Sequence, residues 1–342
     1  MLHVGISWNA TGYETAVVDE SLRPVRPRGR FRGGAVDELI AHLTGMGEPL
    51  VAVVDSTNGT LDGPLLAAGF PVARLDPGAL PARPLLGSVD AGELAEAAVR
   101  TPGAATPLDP GKGTMTGREA EALALIPANG GALAEAVAAG RCLLHGARER
   151  AVVALTFDDG PFRPYTAQIL DVLDRYEVRA TFFCIGLGTA THAATVARIR
   201  ERGHTLGNHT WSHPYLPDLS REEFIEQISR TQLALAAASG GAPPTLFRPP
   251  YGSLTPEIMR WLAELDLTTA LWDVGSRDWA RPEPAVLTRT VLDQVQPGSI
   301  VTLHDGGGDR SRTVTALPGM ITGLRDRGFR FVTVDELEPV RR

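Results

Sequence analysis

Lysine is all but missing from this 342-residue chain: Lys112 is the only one, and every other basic residue is arginine. Basic charge as a whole is in deficit, with 33 Lys+Arg against 40 Asp+Glu and a formal net charge of −7. That balance argues against a general nucleic-acid or anionic-membrane binder, since both rely on an excess of cations. Cysteine is scarce too. Cys142 and Cys184 are the only two, too few for a disulfide framework. Cys184 lies in the apolar run Ala180 to Ile185, where a buried thiol is expected. No run of about 18 apolar residues occurs, so no membrane-spanning helix is expected. The amino-terminal stretch has no charged start and no apolar run of signal-peptide length, because Asn9, Thr11 and Glu14 interrupt it. A cytoplasmic location is the resulting expectation.

Glycine and proline are plentiful, at 37 and 26 residues, well above a combined usual share of about 12%. They predict many turns and at least one linker. Hydrophobic residues at 43% and charged residues at 21% are a globular composition. At roughly 150 residues per domain the length suggests two domains, each able to bury a core of its own. The boundary is expected at residues 101–118, rich in Pro, Gly and Thr and without apolar periodicity. Before it, Leu2–Ser7 and Glu14–Val18 read as a hairpin. Ala35–Thr44 and Leu61–Ala68 have helical spacing, and Leu50–Val54 and Pro71–Leu75 are strand-like. Residues 1–100 are therefore expected to form a small α/β domain with a partly parallel sheet. Residues 119–147 read as connecting helices, at Arg118–Leu125 and Ala132–Leu144.

From Ala151 onward strands and helices alternate. Strands are expected at Ala151–Phe157, Ala180–Gly186, Thr268–Val274, Ser299–Asp305 and Phe329–Val334. Helices are expected at Thr166–Tyr176, Thr191–Arg202, Arg221–Ala238, Glu257–Leu265, Ala285–Val295 and Leu317–Arg327. Repeated βα units predict a barrel or a doubly wound sheet over 148–342, and in both the chemistry gathers where strands end.

Five strand ends carry reactive residues. The first is Thr156-Phe157-Asp158-Asp159-Gly160-Pro161. Adjacent carboxylates on a strand point to opposite faces, but Gly160-Pro161 ends the strand, so both can turn toward one site. Two close carboxylates raise each other's cost of ionisation unless a cation compensates. The second runs from His204 to Pro214. His209 and His213 are four apart, which on a helical turn places both imidazoles on one face, with Pro214 stopping the turn. Two such histidines and a carboxylate suit Zn²⁺. His204 reads as an outer or surface residue. The third is Arg248-Pro249-Pro250-Tyr251-Gly252, a rigid extended segment. The fourth is Trp272 to Trp279, and the fifth Leu303-His304-Asp305-Gly306, where His304 is placed to act as a general acid.

These five segments in this order resemble the NodB-homology polysaccharide deacetylases, carbohydrate esterase family 4, over about Arg148 to Leu337. The resemblance implies a distorted (β/α) barrel and metal-dependent hydrolysis of N-acetyl groups, mostly on aminosugar polymers. It implies Asp159, His209 and His213 as metal ligands, for zinc or else cobalt, nickel or manganese. It implies Asp158 as general base, Arg248 as its holder and the Tyr251 N–H as an oxyanion donor. Trp279 and Leu303 would form the acetyl pocket, and His304 would be the acid. One departure stands out. The fourth motif usually carries an aspartate where Gly275 stands, and in the family that carboxylate contacts the acid histidine. Its loss should lower the His304 pKa. Asp273, two residues earlier and on the same face of a continuing strand, is the candidate replacement.

The N-terminal part resembles the ribonuclease-H-like domain of transposases with an Asp-Glu-Asp-Asp site, in His3–Asn9, Val51–Pro77 and Ser88–Ala95. It departs at the chemistry: Ser7 and Asp55 stand where a metal-binding Asp and a Glu are expected. Residues 1–100 carry 8 basic and 12 acidic residues. A non-catalytic role follows, as scaffold, homodimer contact or substrate presenter, and no nucleic-acid partner is expected. The basic stretch Arg23–Arg32 reads as a solvated hairpin loop. Three functional readings leave the sequence: hydrolysis of an acetylated aminosugar, hydrolysis of a non-sugar small-molecule amide, and carbohydrate binding by a weakened enzyme.

Overall fold

The computed structural model describes residues 1–9, 11–32, 35–55, 61–75, 80–81, 87–108, 122 and 130–338. Two separate sheets organise it. The first has β1 (Leu2–Asn9), β2 (Gly12–Val18), β3 (Gly29–Arg32), β4 (Leu50–Val54), β5 (Val72–Leu75) and β6 (Ala105–Pro107), in the order β3-β2-β1-β4-β5-β6. β1, β4 and β5 are parallel, and β2, β3 and β6 add antiparallel edges. This is the small α/β domain expected from the sequence. Its sheet runs further than expected: β6 lies in the stretch read as linker, and β3 in the stretch read as a loop. Residues 109–118 and most of Arg118–Leu125 lie outside the described residues.

Helices α1 (Val36–Thr44), α2 (Asp62–Ala67) and α3 (Ala91–Arg100) cover this sheet. Asp90 caps α3, its Oδ1 accepting from the Gly92 and Glu93 N–H groups, which satisfies two of the orphan donors of a first helical turn. α3 lies directly on β1. A Cβ at Gly5 would sit 1.8 Å from the Ala91 carbonyl oxygen, so only glycine permits that approach.

A helical stretch over 130–138, here α4, precedes β7 (Cys142–Leu143); the second connecting helix thus ends earlier than expected and gives way to a strand. The second sheet comprises β7, β8 (Val152–Asp158), β9 (Thr181–Cys184), β10 (Thr205–Asn208), β11 (Leu246–Phe247), β12 (Thr268–Ala270), β13 (Val274–Gly275), β14 (Ser299–His304) and β15 (Arg330–Val332). Its order is β13-β14-β8-β9-β10-β11-β12-β7, with β15 beside β8, and its pairs are parallel. Only residues 271–273 separate β12 from β13, yet these strands sit near opposite ends of the order. So short a link spans little more than about 10 Å, so the sheet must curl back on itself into a distorted barrel. The single strand expected over Thr268–Val274 is thereby two strands in different places.

Helices α5 (Tyr165–Arg175), α6 (Gly186–Thr191), α7 (Ala193–Glu201), α8 (Arg221–Ser239), α9 (Pro256–Glu264), α10 (Pro284–Gln294) and α11 (Ser311–Asp326) surround the barrel. α8 opens on a capping box of Ser220 and Glu223 and ends at Gly240 with φ 64°, the left-handed stop that favours glycine. Phe157, Phe182, Leu173, Leu317 and Leu324, all at 0% exposure, lie in the main core between strands and helices. Each fully buried side chain of this kind contributes roughly 1.5–3 kcal/mol. Both cysteines are buried and unbonded.

Candidate active site

The carboxyl end of β8 carries Asp158 and Asp159. Asp158 ends the strand; Asp159 follows at φ 75°, a left-handed turn that swings its carboxylate out of the strand's alternation. Both carboxylates lie near the same two histidines, Asp158 in the pocket that His209 and His213 line and Asp159 grouped with them. Asp159 Oδ1 lies 3.2 Å from His213 Nε2 and 3.5 Å from His209 Nε2. All three side chains are buried, and among the described residues they form the one group of at least three carboxylate, imidazole or thiol side chains gathered closely enough to hold an ion.

The two histidines do not share a helical turn. Pro214 disfavours helical geometry at His213, and the chain instead makes left-handed bends at Thr210 (φ 68°) and His213 (φ 58°). Side chains replace the helix bonds. Asn208 Oδ1 accepts from Thr210 N, Thr210 Oγ1 from His213 N, and Gln227 Oε1 of α8 from both Trp211 N and Ser212 N. The expected convergence of the imidazoles holds by a different local geometry.

His209 Nδ1 is 2.7 Å from the Arg248 carbonyl. A carbonyl only accepts, so Nδ1 carries the proton and Nε2 presents a lone pair toward Asp159. Both Asp159 oxygens are buried with no hydrogen-bond partner. A buried carboxylate without hydrogen bonds, facing two imidazole Nε2 atoms, fits a cation.

Arg248 is fully buried. It donates to Asp158 Oδ1 at 2.8 Å and Thr156 Oγ1 at 2.6 Å from Nη1, and to the Ala270 carbonyl from Nε. Its guanidinium lies 4.1 Å above the Phe183 ring. Fixed on several sides, it orients one Asp158 oxygen. Tyr251 is held at φ 60°, ψ 5°, with its ring 4.6 Å from that of His213. Tyr251, Trp279 and His304 line one pocket with Asp158, His209 and His213.

Across the pocket, His304 ends β14. Its Nδ1 lies 2.6 Å from Asp278 Oδ1, and its backbone N–H donates to Asp278 Oδ2 at 2.9 Å. Thr313 and Ser276 hydroxyls also donate to that carboxylate. Burial would lower the His304 pKa, but the Asp278 charge and hydrogen bond raise it above its usual value.

Three sequence expectations are corrected here. The absence of a carboxylate at Gly275 does not leave His304 without an acidic partner, because Asp278 supplies it. Asp273 does not substitute: its oxygens accept from Arg148, Ser299 Oγ and the Ile300 N–H. The strand does not continue through residues 271–273, so the assumed common face does not exist. Leu303 does not line the pocket. It is fully buried in the main core, and Thr302, on the same strand face as His304, lines the pocket instead.

His204 is buried, accepts from Ala180 N through Nδ1 and packs on Phe182; burial pushes its pKa down to about 4. It is a core histidine. Sequence reasoning missed Asp278 and Asp305. Asp305 Oδ2 accepts from Thr166 at 2.6 Å, and burial pushes the Asp305 carboxyl up to about 7. The available signals were an aspartate directly before Trp279 and another directly after His304. The N-terminal candidates are tied into their own domain: Ser7 is buried in β1, and Asp55 Oδ2 accepts from Val89 N.

A family model described as polysaccharide deacetylase matches residues 145–270. A peptidoglycan-N-acetylglucosamine deacetylase of Bacillus cereus is 39% identical over 188 residues, covering 54% of this chain and 87% of the relative. The chain belongs to the polysaccharide deacetylase family. A chitooligosaccharide deacetylase of Sinorhizobium fredii is 37% identical, over 52% of this chain and 87% of its own. Among solved structures, the Bc1960 peptidoglycan N-acetylglucosamine deacetylase, in complex with an N-hydroxybenzamide, is similar with TM-score 0.59 and 35% identity. It covers 61% of this chain and 98% of its own. Membership makes the chain a hydrolase of the non-peptide amide that joins an acyl group to a sugar, on a NodB-type barrel. The family match, at residues 145–270, lies in the barrel half of this deacetylase. Among its described residues no helix is long and apolar enough to cross a membrane.

Proposed function

We propose that this deacetylase removes N-acetyl groups from an acetylated aminosugar with one divalent ion held by Asp159, His209 and His213. The observation that carries the reading is the pair of buried Asp159 oxygens that make no hydrogen bond and face imidazole Nε2 atoms. Two imidazoles and one carboxylate with room for a water suit zinc; cobalt, nickel and manganese are the other ions this donor set takes. Such an ion polarises the acetyl carbonyl and makes a water acidic.

The remaining steps belong to the protein. Asp158, oriented by Arg248, takes the water's proton. The Tyr251 N–H donates to the carbonyl oxygen as it gains charge. His304, kept protonated by Asp278, gives its Nε2 proton to the departing amine. Trp279 and Thr302 wall the side of the pocket that receives the acyl group. The products are acetate and the free amine. The division into an N-terminal domain and a deacetylase domain over 148–342 belongs to the same reading, with the first sheet extending to Pro107.

Acetate and amine release from N-acetylglucosamine oligomers tests this, comparing wild type with Asp158→Asn at equal metal content. Loss of the base should lower kcat by about 10²-fold or more. An Asp158→Asn enzyme with wild-type kcat would sink the assignment.

A further inference from the structure

The metal-site segments hang from one short stretch of chain, residues 185–187. Ile185 N donates to the carbonyl of Gly160, next to Asp159, at 2.8 Å. Gly186 N and Leu187 N donate to the carbonyls of Thr210 and Trp211, between His209 and His213, at 2.9 and 3.0 Å. Trp211 is seated against this stretch so closely that a Cβ on Gly186 would lie 2.2 Å from its ring. Arg230 of α8 also stands 4.8 Å from the ring centroid.

The side chains of that stretch do not join the barrel core. Ile185, Leu187 and Trp211 belong to the apolar cluster of the N-terminal domain, with Val4, Leu39, Leu43, Ala52 and Leu65. The domain without reactive chemistry is thus packed against the back of the segments that carry the ligands.

We propose that the N-terminal domain is a working part of the metal site: its core fixes the 185–187 stretch and Trp211, and through them the spacing of Asp159, His209 and His213. Trp211, Ile185 and Leu187 are positioning residues. Packed interiors transmit displacement instead of absorbing it, so a gap in the N-terminal core loosens the ligand spacing. Thermodynamic linkage makes the effect reciprocal: a bound ion tightens the N-terminal domain by the same factor.

The inference rests on the metal reading of the triad. Its readouts are metal affinity and amide exchange, so an enzyme silent toward every sugar still tests it. Zn²⁺ affinity of the full chain, measured by competition with a chromophoric chelator, is compared for Leu65→Ala and Leu287→Ala. Leu65 is in the shared cluster; Leu287, equally buried, is in the barrel core on α10. Leu65→Ala should weaken Zn²⁺ binding by about 5-fold or more, and Leu287→Ala should change it less than about 2-fold. In the wild-type chain, saturating Zn²⁺ should slow amide exchange in α1 and β4. Parent-like affinity in Leu65→Ala, equal losses in both variants, or unchanged exchange in α1 and β4 would overturn it.

Discussion

The two halves of this chain put aspartate to opposite uses. In the N-terminal domain Asp55 accepts from Val89 N, Asp90 caps α3 and pairs with Arg28, and Asp19 accepts from Ser21 and Arg23. Each holds backbone or a surface cation of its own domain. In the barrel, Asp158, Asp159, Asp278 and Asp305 are all buried where strands end, among His209, His213 and His304. Residue type is shared; what differs is what each carboxylate faces: backbone and surface cations in the first domain, and in the barrel a buried pocket where Asp158 and Asp278 hold Arg248 and His304 while the Asp159 oxygens have no hydrogen bond. The two sheets, one mixed and one parallel, therefore differ in function because of what stands at their strand ends, consistent with function being grafted on a fold.

The sharpest way to break this comparison is to remove one carboxylate from each half. Asp159→Ala should lower kcat/KM by about 10³-fold, the worth of several kcal/mol of charge stabilisation, and should abolish Zn²⁺ binding. Asp55→Ala, outside the cluster shared with Ile185, Leu187 and Trp211, should leave the barrel chemistry intact and cost only stability, about 1–3 kcal/mol for a lost buried acceptor, read by chemical denaturation.

A smaller effect separates the two aspartates near His304. Asp278 raises the His304 pKa, and an acid must be protonated to act, so activity falls as pH rises through that value. Asp278→Asn should bring the pKa down and move the alkaline limb of kcat/KM to lower pH, with kcat reduced about 10- to 100-fold. Asp273→Asn should leave the limb where it is, because Asp273 binds Arg148, Ser299 and Ile300. A shifted limb in Asp273→Asn would reverse the assignment.

The smallest effect is expected on the basic stretch of the N-terminal domain. Arg28 pairs with Asp90, but its side chain is about half exposed, so Arg28→Gln should change stability by less than about 1 kcal/mol. A larger loss in thermal unfolding would give that surface a role the comparison denies it.

Much of the site was legible because its chemistry is written in short runs. Asp158-Asp159-Gly160-Pro161, His209 to His213 and His304 each sit at the end of a strand visible as an apolar run. What escaped depends on partners distant in sequence. The His209–His213 loop is held by Asn208 and by Gln227 on α8, so spacing alone suggested a helix. Asp278 was overlooked because the strand was read straight through residues 271–273, where the sheet instead turns to its other edge. Leu303 was carried over from the resemblance; on β14 side chains alternate faces, so Thr302 shares the pocket face of His304 and Leu303 the core face. β6 was hidden because a three-residue edge strand with a proline resembles a linker. The packing of Trp211 into the other domain's core leaves no local signal, since a buried tryptophan reads the same in either core.

With a metal ion held by Asp159, His209 and His213, the activity of this deacetylase should follow its ion content. Stripping the protein with a chelator and titrating Zn²⁺ back, while following acetate release from N-acetylglucosamine oligomers, tests it most directly. Activity should disappear and return in full at one ion per chain, and Asp159→Ala should never regain it. Undiminished acetate release from the stripped protein would contradict it.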